Sequence, residues 1–81
     1  MDNTLIISRG TAAAELLKTE AFAVVVNELY NQYLGDITSS PMEAKELRET
    51  RFYQLRALQD ITTELNSWVQ AKDQLFEESN D

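Results

Sequence analysis

Lys45, Arg48, Phe52 and Arg56 recur at i, i+3, i+7 and i+11, a spacing that gathers them in one sector of a helical wheel. Guanidinium groups take phosphate oxygens, and a phenyl ring among them can stack on a base. The face is therefore a candidate for contact with a nucleotide, a nucleic acid or an acidic partner protein. The same residues have a structural use. Lys45 with Glu49 and Arg56 with Asp60 are i, i+4 pairs, each worth roughly 0.2–0.5 kcal/mol on a helix surface. An acidic neighbouring subunit would attract the remaining arginines. On this balance the cluster is expected to serve ion pairing within or between subunits and to set the register of an assembly, ahead of ligand contact.

Other constellations fail on inventory. The chain contains neither His nor Cys, which removes the Ser-His-Asp triad, the Cys-His pair and the usual zinc ligands. Residues 10–15, GTAAAE, lack the second Gly and the Gly-Lys-Ser/Thr ending of a phosphate loop. Glu43, Glu46 and Glu49 could bring oxygens near a hard cation, but on a solvated helix face such a run is surface charge. Tyr30, Tyr33 and Tyr53 fit the rim of a core. No catalytic residue, cofactor or metal site is expected, and the chain does not read as an enzyme.

Fourteen acids against seven bases leave a net charge of −7. That field opposes sequence-independent binding to phosphate backbones and favours solubility. No apolar run approaches the ~20 residues that span a bilayer. Leu5, Ile6 and Ile7 are too few for a secretory core and follow Asp2, not a basic segment. A cytosolic protein without membrane contact is expected.

The elements that must position these residues are helices. Residues 1–8 suggest an extended arm or a short strand. Arg9-Gly10-Thr11 offers a helix start with Thr11 as cap, and Ala12 to Leu17 are good helix formers. The apolar face shifts at Lys18-Thr19. Residues 11–18 and 20–34 therefore read as two helices or one kinked helix, with Phe22, Val25, Leu29 and Tyr33 along one stripe. Gly35 suits a left-handed helix end. Ser40-Pro41-Met42-Glu43 combines a cap, a first-turn Pro and a capping-box Glu. A long helix is thus expected from Pro41 to about Phe76, with an acidic, disordered tail over 77–81. Its 3-4 spacing suggests a seam at 47, 51, 54, 58, 61, 65, 68, 72 and 75, which Arg51, Gln54 and Lys72 interrupt. The expectation is an all-α protein, one domain over residues 9–76. It is an antiparallel helical hairpin whose long C-terminal helix is preceded by a short helix and an arm.

Length then constrains function. Helices of this reach would cover the long helix to about Leu65. Trp68, Val69, Leu75 and Phe76 would lack company, and monomers rarely expose such a patch. A homo-oligomer interface is expected over Leu65, Trp68, Val69, Leu75 and Phe76. Two arrangements within the chain would also satisfy these residues: Leu5, Ile6 and Ile7 swinging down over them, or the helix ending near Ser67 and folding back.

In RGTAAAELLKTEAF and ELRETRFYQLRALQDI the chain resembles small helical-hairpin proteins of tailed bacteriophages. The matching positions are Arg9, Gly10, Ala13, Leu16, Leu17, Phe22, Arg48 and Glu49, and the likeness spans roughly residues 9–70. The resemblance implies a virion accessory or assembly role, in the bacterial host cytoplasm or the virion, with other phage or host proteins as further partners. Phages also encode small acidic helical inhibitors of host defence. That alternative would work as an acidic decoy or by sequestering a nucleotide signal at Lys45, Arg48, Phe52 and Arg56.

Overall fold

The computed structural model describes residues 3–79. They form three helices, α1 (Asn3–Lys18), α2 (Glu20–Ser39) and α3 (Lys45–Ser79). The first two lie end to end and run antiparallel along the third. Gly10 meets α3 at Trp68 and Lys72, and Asp36 meets it at Arg51. The body is a rod of 57 × 24 × 18 Å, two helices thick.

Thr19 alone separates α1 from α2. Its backbone is extended, at φ −66° and ψ 124°. Its amide still donates to the Leu16 carbonyl, and its hydroxyl donates to the Glu15 carbonyl, at 3.0 Å each. Both bonds close the last turn of α1, while the Thr19 carbonyl accepts the Ala23 amide and opens α2. One residue thus ends a helix, starts the next and shifts the buried face, the two-helix form of the expected arrangement.

Four expectations on element limits are corrected. The segment read as an extended arm, 1–8, is helical from Asn3 onward, and Met1 and Asp2 lie outside the described residues. Gly10 and Thr11 sit inside α1 and do not start it. Gly35 does not end α2, and no glycine has positive φ; the helix runs one more turn to Ser39. There the Thr38 and Ser39 hydroxyls donate to the Gly35 carbonyl at 3.2 and 2.7 Å, a side-chain bond that small hydroxyl residues make to the preceding turn.

The third correction concerns Ser40. Its hydroxyl donates back to Ile37 of α2 at 2.9 Å, so it does not cap α3. Residues 41–44 form a turn closed by the Ala44 amide on the Pro41 carbonyl at 3.0 Å, and α3 begins at Lys45. Helix also continues through Glu77 and Glu78 to Ser79, where a disordered tail was expected; Asn80 and Asp81 lie outside the described residues.

These limits overturn the length mismatch. The 16 residues of α1 and 20 of α2 match the 35 of α3, so the chain lays a helix along the whole of its longest element. Ile6 of α1 borders Ser67, Trp68 and Ala71 of α3, so the N-terminal segment covers part of the C-terminal half of α3, as one of the alternatives required, but as helix.

What the two layers do not make is an interior. Ala13, 2% exposed, is the one buried apolar residue among those described, and the large side chains of the seam are half-buried. That seam is Arg51, Leu55, Leu58, Thr62, Leu65, Val69 and Lys72, alternating steps of four and three. Such a 3.5-residue repeat keeps one stripe facing the neighbour along the full rod. The expected seam was right at 51, 58, 65 and 72 and one residue early between them. The apolar residues at 47, 61, 68 and 75 pull the sequence pattern toward a second stripe on the flank.

Candidate interaction surfaces

At the loop end, the arginines of the basic cluster divide by task. Arg48 turns back over the connection. It donates from Nη1 to the Pro41 carbonyl at 2.6 Å and to Ser40 Oγ at 3.2 Å, and from Nη2 to the Met42 carbonyl at 2.9 Å. A planar fork satisfies three acceptors that the turn leaves outside helical bonding. Arg51 enters the seam: Nε donates to Asp36 Oδ2 at 2.8 Å, Nη1 to Gln54 Oε1 at 2.7 Å, and its Cζ stands 5.8 Å from the Tyr33 ring centre. These two side chains tie α2, the turn and α3 together.

The rest of the candidate face stays at the surface. Lys45 lies 3.9 Å from Glu49 with both side chains well solvated. Phe52 is 52% exposed and meets Tyr53 edge to face, centroids 6.0 Å apart. Arg56 is exposed, and the expected Arg56–Asp60 pair is not among the ion pairs of the described residues. Lys45, Phe52 and Arg56 thus share an open face from which Arg48 is withdrawn. Glu43, Glu46 and Glu49 do not gather: no group of three acidic side chains among the described residues is arranged to hold a metal ion.

The expected oligomer residues also divide. Leu65 and Val69 belong to the seam against α1 and α2. Trp68 and Leu75 lie beside it, half-buried, and Phe76 remains 46% exposed. The indole is capped by Arg9, whose Cζ is 5.4 Å from the ring centre, and its Nε1 donates to Glu64 Oε1 at 3.1 Å. Ile6 and Arg9 border a shallow depression with Trp68. Lys72 donates to Thr11 Oγ1 at 2.8 Å and lies 5.8 Å from the Phe76 ring. Cations from each layer thus lie over aromatic rings at this end, an attraction that strengthens where water is excluded.

Sequence reasoning missed the contact that sets the spacing of the layers. At Gly10 the helices come so close that a Cβ there would lie 2.5 Å from Lys72 Cβ and 3.0 Å from the Trp68 carbonyl oxygen. Buried Ala13, one turn on, continues the close approach. Two small residues at i, i+3 were the available signal.

Between the two ends, Leu16, Phe22, Ile61, Leu65 and Trp68 border an open apolar groove, with Asp60 and Glu64 on its rim. No helix among the described residues is long and apolar enough to cross a membrane. No model of a protein family, no curated protein and no solved structure matches the chain significantly.

Proposed function

We propose that this protein is a self-associating helical interaction module, acting through protein–protein contact and not through catalysis. One observation carries the reading: among the described residues, no large apolar side chain is enclosed. The radius of gyration is 17.2 Å, against about 12 Å for a compact domain of this length. The accessible surface is 6147 Å², against about 5000 Å² for a folded monomer of this mass. Disulfides and zinc, which often stabilise domains of this size, have no ligands here, so burial between copies is the device left. The likeness to small phage hairpin proteins supports a virion accessory or assembly role for the assembly so formed. The nucleotide-sequestering alternative has less support, since the fork of Arg48 is occupied by its own turn.

Light scattering over a range of micromolar concentrations tests the proposal. The expected result is a mass at least twice 9.3 kDa. A folded helical species that stays at the monomer mass throughout would overturn it.

A further inference from the structure

We infer that a second copy of this chain docks on the flank of α3 that carries Leu47, Ile61, Trp68 and Leu75, antiparallel to the first, about a two-fold axis at Ile61. The inference rests on the self-association proposed above and adds its face and direction.

The face follows from register. Positions 47, 54, 61, 68 and 75 are seven apart and lie one place beside the internal seam. Four of the five are large and apolar. The corresponding positions on the opposite flank, Phe52, Gln59, Asn66 and Asp73, are mostly polar. Leu47 and Ile61 are exposed, Ile61 at 52%, and Leu16 of α1 borders the same groove as Ile61. An α-helix that repeats apolar residues at two adjacent heptad positions has two neighbours to satisfy, and this chain supplies one. The surface in excess of a compact monomer, on the order of 1000 Å², exceeds the roughly 800 Å² per partner of a standard stable interface.

The direction follows from charge. From Lys45 to Arg56, α3 carries four bases and two acids; from Ala57 to Ser79 it carries five acids and one base. Parallel copies would set acidic halves side by side. Antiparallel copies set the basic half of one beside the acidic half of the other. The stripe is symmetric about its midpoint, as an isologous two-fold contact requires. Leu47 then meets Leu75 of the second copy, Gln54 meets Trp68, and Ile61 meets Ile61. The uneven charge along α3 thereby favours the antiparallel pair.

The chain has no cysteine, so Ile61→Cys, Leu47→Cys and Leu75→Cys each place a single thiol in otherwise unchanged full-length protein. Helical content by circular dichroism and mass by sedimentation are measured on each variant before a short bis-maleimide is added. Expected are a covalent dimer of Ile61→Cys alone, none of Leu47→Cys alone, and a dimer from Leu47→Cys mixed with Leu75→Cys. Self-linking of Leu47→Cys, or associated protein in which Ile61→Cys does not link, would overturn the face and direction while leaving self-association standing. A monomer mass for every helical variant and for the unchanged chain would overturn both.

Discussion

Gly10 and Lys72 stand where α1 and α3 touch backbone to backbone: a methyl group added at Gly10 would fall 2.5 Å from Lys72 Cβ and 3.0 Å from the carbonyl oxygen of Trp68. A glycine inside a helix costs roughly 0.5–1 kcal/mol relative to alanine. Its presence in the middle of α1 is explained by the missing volume. Gly10→Ala should therefore destabilise the fold despite its better helix propensity, because separating packed layers typically costs ~1–3 kcal/mol. Urea denaturation followed by circular dichroism checks this: the midpoint should fall, and a rise would mean that the helices are farther apart than described.

Gly35 makes the opposite prediction. It is helical, has no positive φ, and a Cβ there would meet nothing within 4 Å. Gly35→Ala should raise stability by about 0.5–1 kcal/mol. Had Gly35 been the left-handed helix end that its sequence context suggests, the same change would strain the backbone and lower stability. Thermal melts of Gly10→Ala and Gly35→Ala side by side should move in opposite directions.

The contrast between these glycines shows what was legible. All-α character, the hairpin, the break at Thr19 and the long third helix follow from spacing and propensity, which are local. The ends of the elements were not legible, because each is decided by a partner distant in sequence. Arg51 holds Asp36 inside α2, past the glycine that should have stopped it. Arg48 satisfies the turn carbonyls, so Ser40 serves the helix before it and Pro41 does not open the next. Asn3 to Ile7, unremarkable as a helix start, is helical where it can lie along the last turns of α3. The seam was read one residue off at alternate positions because a second apolar stripe competes with it on the same helix. That error and the candidate interface have a single cause.

Arg51 and Asp36 should couple across the layers. Their side chains are 27% and 37% exposed, and Nε lies 2.8 Å from Oδ2. Partial solvation limits the pair to about 0.5–1 kcal/mol. A double-mutant cycle with Arg51→Met and Asp36→Asn, read from urea midpoints, should return coupling of that size. It should shrink at 1 M salt, where screening acts over ~3 Å. Salt-independent coupling would instead indicate that Arg51 acts by packing on Tyr33.

Trp68 is the chain's one tryptophan, so its fluorescence reports a single place. In one copy the indole is half-buried between Arg9 and the open groove. A second copy on the Ile61 flank would exclude water from its remaining face. Emission should therefore move to shorter wavelength as concentration rises, with the same midpoint as the change in mass. Trp68→Ala should weaken association by ~2 kcal/mol or more, about 30-fold in Kd, as buried aromatic anchors at the centre of interfaces do. Phe76→Ala lies off the stripe, on the seam side of α3, and should weaken association much less. Equal losses from the two changes would place the contact at the end of the rod and not along its flank. An emission maximum that stays constant while the mass grows would mean that copies meet on a face that leaves Trp68 untouched.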